Sequence, residues 1–550
     1  METLHADVLI VGAGPAGLAM AIELGTRGIA VRLVERNSRG GVAPRAKTTN
    51  VRTRTHLRRW GLADTLAAAS PLGIDYPNDI RFVTRLAGHE LAHFRDAFNA
   101  APARSDLYPE HAQWVPQYTL ERVLLDHVRT LPTVDVHFGV SLLDAKATDE
   151  GVIARLEGCD GEAFDCAARY LVGADGARSR VRDLVGARME GRYGITRNYN
   201  IVFRAPGLAQ AHAHGPAVQY WQVNADGASL IGPMDEGDVW FFMPTGMKDG
   251  ETLSNADAAE AIARATGIAL PYEILSTDEW VASRLLADAY RRGPMFLVGD
   301  ACHLHPPFGG YGMNMGVADS VDLGWKMAAV IEGWAAPTLL DTYQTERRPM
   351  HEAVMEEAVA NNALLGGQLY QDGLEDGTAE GEALRRSVGE RILAAKAREF
   401  HTLGTVLGLG YGSSPAITPD GTPPPPHGGQ VYAPSARPGS LAPHAWLPDG
   451  RSLYDLFGNG FALVVSAEAD AVEVGWAVAD AAEQNVPLRL VRPEGVDVRS
   501  LYKVDLTLVR PDQYVAWRAD HWETDALLAA VGKCPTKVDT SEPAERVGTS

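Results

Sequence analysis

The sequence predicts a multidomain α/β (α+β) fold, in which a first domain is interrupted by a β-rich insert and followed by a separate C-terminal α/β unit. Three observations predict it. A strand, a glycine turn, a helix and a second strand open the chain between Val8 and Glu35. Two further strand-to-turn segments, Leu171-Val172-Gly173-Ala174-Asp175-Gly176 and Met295-Phe296-Leu297-Val298-Gly299-Asp300, lie far downstream. If they return to the first sheet, that domain is discontinuous. A proline run, Pro423 to Pro426, then precedes a fresh strand–helix–strand pattern, as a linker would.

Each element has a local reason. Val8-Leu9-Ile10-Val11 is a short buried-strand run, and Leu18 to Arg27 is helical and stops at Gly28. Val31-Arg32-Leu33-Val34 is the next strand. Residues 168–185 repeat a strand running into a polar turn. After Asp300 come Pro306, Pro307, Gly309, Gly310 and Gly312, then a helix from about Asn314 to Glu332. The stretch of roughly 190–285 alternates in places, as in Val239-Trp240-Phe241-Phe242-Met243, and reads as β-rich. Met350 to Leu407 is helical and rich in Ala and Glu. Past the prolines, Phe461 to Val465, Leu488 to Val491 and Tyr514 to Arg518 read as strands, with a helix around Glu473–Gln484.

Composition bounds the function. The 550 residues suggest about three to four domain-sized units. Fifty basic against seventy acidic residues give a net charge of −20, which argues against nucleic-acid and polybasic membrane-surface partners. The four cysteines, Cys159, Cys166, Cys302 and Cys534, form no CxxC pair and no zinc-type spacing, so no metal and no disulfide scaffold is expected. A reducing cytoplasm fits. No apolar run reaches membrane-span length. The apolar stretch from Val8 to Leu24 follows Glu2 and Asp7 rather than Lys or Arg, unlike a signal peptide.

Gly12-Ala13-Gly14-Pro15-Ala16-Gly17 fits GxGxxG in its required context, a Rossmann-like strand–turn–helix closed by an acid, Glu35, at the end of the second strand. Gly12 allows the tight turn, Gly14 lets a pyrophosphate approach the backbone, and Gly17 lets helix pack on strand. The helix start supplies amide donors. Glu35, followed by Arg36, stands where an acid binds ribose hydroxyls. The fingerprint alone does not choose between FAD and NAD.

The other motifs do. Gly173 to Arg182 resembles the Asp-Gly motif of the class A flavoprotein monooxygenases. Gly299-Asp300-Ala301-Cys302-His303, continued by Pro306 to Asn314, resembles their second FAD signature. Order and spacing match over about residues 5–400, nearest to the phenol- and chlorophenol-hydroxylase-like branch that includes polyketide aromatic hydroxylases. The resemblance implies a FAD-binding domain of the glutathione-reductase and para-hydroxybenzoate-hydroxylase type, a β-sheet substrate domain, and a redox-dead C-terminal thioredoxin-like domain, which here holds only Cys534. The expected layout is FAD-binding over 1–75, 111–188 and 286–400 (the last with its helical region), substrate domain over 76–110 and 189–285, thioredoxin-like domain over 401–534, and a disordered tail over 535–550.

The resemblance also implies roles. Asp300 holds the ribityl or pyrophosphate region, and Gly312, Met313 and Asn314, with Gly310 before them, present a helix start to the flavin edge. Pro307 lies over the ring near the reacting carbon. Arg45 and Ala46 approach the pyrophosphate, Gln117 contacts the ribityl-phosphate region, and Asp175 is tied to FAD and nicotinamide use. The expected reaction is reduction of FAD by NADH or NADPH, addition of dioxygen at flavin C4a, and transfer of an electrophilic OH to a phenolic or other aromatic ring.

A phenol ionises near pH 10, so a base or cation beside the pocket is sought. Lys47 is the main candidate, as proton acceptor or as binder of a phenolate or carboxylate; the alternatives are a surface lysine or a phosphate contact. His305 is a second candidate. Tyr220, Trp221, Trp240 and Phe242 of the β-rich insert, and Tyr311, are the candidate substrate wall. The C-terminal domain either helps a homodimer form or only buttresses the fold. Epoxidation, Baeyer–Villiger or other oxygen insertion on a natural product remains open, as does a non-catalytic flavin-binding interaction protein. A halogenase does not fit, because Trp240-Phe241-Phe242-Met243-Pro244 departs from Trp-x-Trp-x-Ile-Pro.

Overall fold

The structure, a computed structural model, describes residues 4–38, 46–245, 253–362, 369–426 and 429–533, without the side chains of 196, 198, 280, 361 and 362. Arg45, Cys534 and the expected tail over 535–550 lie outside the described residues.

The apolar strand Leu4–Val11 lies at the centre of the first sheet. It pairs in parallel with Val31–Glu35 on one side and Ala163–Gly173 on the other, and these extend to Val134–Phe138 and Met295–Leu297. The register aligns the strand ends: Val11 sits beside Gly173 and Val34, and Gly173 beside Leu297. All three glycine-containing turns therefore leave the sheet along one edge, the carboxyl ends of parallel strands, where α/β sheets bind ligands. The chain does return to this sheet from far downstream. The strands Ser141–Thr148 and Gly151–Glu157 extend it as an antiparallel meander that the sequence analysis did not separate.

The second sheet has eight strands in the order His303–Leu304, Glu273–Ala287, Met189–Arg204, Val239–Pro244, Gly227–Pro233, Gln219–Asn224, Ile80–Val83 and Glu90–Phe94. Its edge strand His303–Leu304 follows directly on Asp300, so the turn leaving the first sheet is also the seam to the second. The helix Asn255–Thr266 covers one face and the helix Ala379–Phe400 the other. The expected layout sets residues 286–400 as FAD-binding together with a helical region; within that region this last helix places Val388, Ile392 and Phe400 in a core with Ile80, Phe82 and Phe94 of the second sheet. Its apolar stripe at i, i+4 matches the sheet face, and helical periodicity alone does not say which sheet it will cover.

The long helix Gly312–Ile331 packs along the first helix, Pro15–Gly25, where Gly324 makes room for Glu23. Beyond the linker, Phe461–Val465 pairs in parallel with Leu488–Val491 and antiparallel with Leu506–Val509, which pairs with Val515–Ala519. The helix Ala471–Glu483 joins the parallel pair and Thr524–Ala530 closes the unit. This is a thioredoxin-like βαβ–ββα arrangement. No helix among the described residues is long and apolar enough to cross a membrane.

Candidate active site

The glycine turn divides its labour. A Cβ at Gly12, whose φ is +106°, would lie 2.3 Å from the Ala174 carbonyl oxygen, and one at Gly17 would lie 1.9 Å from the Gly12 carbonyl oxygen. These two glycines bring the first and second motifs together. Gly14 has nothing within 4 Å of its Cβ direction and stands at the uncapped start of the helix Pro15–Gly25, so this turn is open to a phosphate. Ala13 donates its amide to Glu35 Oε2 (3.0 Å), and Asn37 donates to Oε1 (2.9 Å), which holds the acid beside the turn. Arg36 is exposed. The third motif arrives through Gly299, whose Cβ position is 3.1 Å from Ala16 and 3.7 Å from Gly316. Asp300 is exposed at that edge.

Asp175 is engaged in structure. Its carboxylate accepts from Ser179 Oγ (2.5 Å), Arg180 N (2.6 Å) and Val181 N (3.1 Å) and so caps the helix Arg180–Val185. Gln117 is likewise tied to the backbone: its side-chain Oε1 accepts from Ala46 N (3.2 Å), while its backbone N–H donates to the Ala46 carbonyl (2.9 Å). Gln117 thereby fixes the segment that carries Lys47.

The loop of residues 305–312 closes the cradle. Pro307 is exposed, and its carbonyl accepts from Gly310 N (3.2 Å). Asn314 is buried and donates to the carbonyls of Gly310 (2.7 Å) and Thr48 (2.9 Å), while its Oδ1 accepts from Asn50 N (3.0 Å). One side chain thus joins the loop, the Lys47 segment and the helix that begins at Gly312. No side chain caps that helix, so the amides near Gly312 and Met313 start a positive dipole end.

His305 is bound into the support behind the loop. Its Nε2 lies 3.2 Å from His351 Nδ1; His351 Nε2 and His303 Nε2 lie 2.9 and 2.7 Å from the two oxygens of Asp319, which also accepts from Arg347 Nε (2.8 Å) and Gly299 N (3.1 Å). Burial, with His303 nearby, holds His351 down to about 3, and burial keeps His305 well below the usual histidine value. Both rings are held towards the neutral form, and His305, a candidate catalytic residue, makes its described contact with His351 rather than with the aromatic wall. Tyr311 is also relocated: it is buried against Val354 and Ala358, in a cluster separate from the aromatic wall.

The two faces of the second sheet divide the aromatic residues expected to form the wall. Trp221, Leu230 and Phe241 share a core with Trp114, Phe308 of the loop and the helix Ala379–Phe400. Tyr220, Ile231, Trp240 and Phe242 lie on the opposite face under the helix Asn255–Thr266. Three of the four strand residues expected to touch substrate therefore point away from the loop. The reason is the two-residue period of a strand: if Trp221 faces the loop, Tyr220 cannot, and Phe241 faces it at the expense of its neighbours. Gly232, opposite Phe241, leaves space for its ring.

Lys47 joins this wall. Its Nζ lies 4.0 Å from the Phe241 ring centroid, and desolvation lowers its pKa to about 7. A second lysine was not found from sequence. Lys396 is 1% exposed, pairs with Glu399 at 2.8 Å, and lies 5.5 and 5.7 Å from the rings of Trp221 and Phe308. A usable signal existed: Val388, Ile392, Lys396 and Glu399 follow one helical stripe, so two charges interrupt an apolar face.

Comparison with known proteins decides the family. A profile described as FAD binding domain matches residues 5–358, and one described as aromatic-ring hydroxylase, C-terminal, matches residues 435–534. The chain belongs to the class A flavin monooxygenases. Members of this FAD-binding aromatic-ring hydroxylase family are similar to it over nearly their whole length. The 2,4-dichlorophenol 6-monooxygenase of Delftia acidovorans is 31% identical over 96% of this chain and 98% of its own. Aklavinone 12-hydroxylase RdmE of Streptomyces purpurascens is 33% identical over 97% and 98%. The rebeccamycin biosynthetic enzyme RebC with reduced flavin superposes with a TM-score of 0.88 at 32% identity, covering 97% of this chain and all of the other. A ternary complex of aklavinone-11 hydroxylase with FAD and aklavinone superposes at 0.82 and 30%, with 97% and 100% coverage. As a class A monooxygenase the chain binds FAD and hydroxylates an aromatic substrate, and the open edge at Gly14 and the uncapped helix at Gly312 fit that cofactor.

Proposed function

We propose that this enzyme hydroxylates a phenolic ring held between Phe241, at the Lys47 end of the aromatic wall, and the Pro307–Phe308 loop, with Lys47 taking or balancing the phenolic proton. The observation that carries the reading is the position of Lys47: a desolvated amine over an aromatic ring of the wall, on a segment fixed by Gln117 and Asn314. An amine with a pKa of about 7 is half neutral near pH 7, so it can accept a proton and, once charged, hold the phenolate. The named activities of the two sequence relatives, on a dichlorophenol and on aklavinone, agree with a phenolic substrate.

Gly12, Ala13, Gly14, Pro15, Ala16 and Gly17 would hold the FAD pyrophosphate, Glu35 the ribose, Asp300 the ribityl chain, and the Gly312–Asn314 amides the flavin edge. FAD supplies the oxygen-activating chemistry, with NADH or NADPH as the electron donor. The aromatic wall and the loop exclude water from the ring. The test is phenol-dependent NAD(P)H oxidation with analysis of the oxygenated product. Lys47→Met is expected to keep FAD and to lower hydroxylation by about 10²- to 10⁴-fold, the range for a general base. A variant that hydroxylates at the wild-type rate removes Lys47 from the mechanism. If no phenol yields an oxygenated product, the phenolic reading fails.

A further inference from the structure

Lys47 accounts for one end of the aromatic wall. The other end carries polar groups that proton transfer at Lys47 does not use. Lys396 and Glu399 are 1% and 3% exposed and pair with each other at 2.8 Å, inside an otherwise apolar core formed by Phe82, Phe94, Trp221, Ile392 and Phe400. Burying two charges in such a core is unfavourable unless the pair does something that an apolar pair would not. Beside it lies an independent observation. The indole Nε1 of Trp221, a residue 7% exposed, is buried and has no hydrogen-bond partner among the described residues. A buried orphan donor is costly and is usually satisfied by a ligand or water.

We infer that Lys396, held by Glu399, and the Trp221 indole N–H form a second polar subsite that binds an acceptor oxygen on the far ring of an extended aromatic substrate. The inference rests on the reading of this wall as the substrate site. Both groups are donors, so the oxygen they take is a carbonyl, phenolate or carboxylate rather than an N–H or an alkyl group. The 2.8 Å contact with Glu399 fixes where the Lys396 ammonium sits beside Trp221 and Phe308. Phe308 brings the same lysine next to the loop that carries Pro307, so the subsite and the reacting edge share one enclosure.

The sheet gives the span between the two ends. Phe241 lies on the strand Val239–Pro244 and Trp221 on Gln219–Asn224, with one strand between them. Register sets Phe241 opposite Gly232 but Trp221 opposite Leu230, two residues along. With strands about 4.8 Å apart and a rise of about 3.4 Å per residue, the two anchors are on the order of 10 Å apart. A single phenol touches one of them. Two or three fused rings with oxygen at each end touch both.

The experiment is calorimetric titration of the oxidised FAD holoenzyme with 2-naphthol, 2,6-dihydroxynaphthalene and 2,6-dihydroxyanthraquinone. Phenol-dependent NAD(P)H oxidation is followed in the same preparations. The wild type is expected to bind the two doubly oxygenated ligands about tenfold or more tightly than 2-naphthol, the value of one hydrogen bond to a charged group. Lys396→Met is expected to remove that preference while leaving 2-naphthol affinity within about threefold, and Trp221→Phe to lower the affinity of the doubly oxygenated ligands by a larger factor than that of 2-naphthol. Glu399→Gln, which keeps the shape, is expected to reduce the preference. Equal affinities for all three ligands in the wild type overturn the subsite while leaving the phenolic reading intact. So does an equal loss for 2-naphthol and the larger ligands in every variant, since that is the mark of a structural pair. If none of the three ligands binds, or none supports NAD(P)H oxidation, the reading of the wall itself fails, and the subsite with it.

Discussion

Two desolvated lysines, Lys326 fully buried and Lys47 half-buried, do opposite work in this molecule. Lys326, on the long helix, contacts Asp322 at 2.8 Å and Glu346 at 2.6 Å, and Arg510 of the C-terminal unit reaches the same two carboxylates and Asp512 at 2.7–2.9 Å. Lys47 has an aromatic ring instead, and desolvation, with no counter-charge among the described residues to offset it, lowers its pKa to about 7. Burial acts on Glu346 as well, but Arg510 and Lys326 outweigh it and hold that carboxyl below the usual range. A fully paired buried cluster fixes where domains sit; an unpaired buried amine is a group kept ready for chemistry.

The strongest test of this contrast breaks the paired side. Arg510→Met leaves Asp322 and Glu346 with Lys326 as their remaining cation and takes the guanidinium from Asp512. Removing one partner of a buried pair costs about 3–5 kcal/mol, and here the loss falls on the junction between the long helix and the C-terminal unit. The expected result is a large fall in the apparent thermal midpoint, with protease cleavage starting in or before the C-terminal unit. A midpoint within a degree or two of wild type would show that the cluster is not what holds the unit in place.

Lys47→Met should do the reverse. A lysine with a folded pKa of about 7 binds fewer protons than the unfolded chain between pH 7 and about 10.4. Wild-type stability therefore rises with pH across that window, and the penalty of the buried ammonium is fully present below it. The variant is expected to melt higher than wild type at pH 6.5–7 and to lose that advantage towards pH 10. In the same variant the rise of hydroxylation through about pH 7 should disappear, because the neutral amine that accepts the proton is gone. A midpoint difference that does not change with pH would mean that Lys47 is not charged and desolvated as described.

The same logic explains what the sequence could show. The nucleotide edge was legible because its residues are chosen by backbone geometry: Gly12 and Gly17 have no room for a side chain, and that requirement is written into the spacing. The thioredoxin-like unit was legible from strand and helix periodicity. The wall was not, because aromatic residue type alone carries no information about strand parity. Trp240 and Phe242 share a face, and Phe241 between them takes the other; the alternation was visible, but which face meets the loop is a tertiary fact. Lys396 was hidden for a related reason. A charge inside a helical stripe stands out only once the stripe is known to be buried. Asp175 and Gln117 show the converse, since their recognised motif positions are occupied by a helix cap and a backbone clamp.

The smallest predicted effect separates the two faces of the sheet. Phe241→Leu removes the ring beneath Lys47 and with it a cation–π contact worth about 0.5–2 kcal/mol, so the amine pKa and the inflection of the pH–rate profile should both shift, with hydroxylation reduced by roughly 2- to 30-fold. Trp240→Phe, one residue earlier, removes comparable aromatic bulk from the face under the helix Asn255–Thr266, where Trp240 stacks on Tyr220 at 6.4 Å. It should lower the thermal midpoint slightly and leave the profile in place. The pair of variants differs by one position in sequence and by the whole thickness of the sheet in space. If Trp240→Phe moves the profile as far as Phe241→Leu does, the wall is read on the wrong face, and Lys47 acts through the sheet rather than over it.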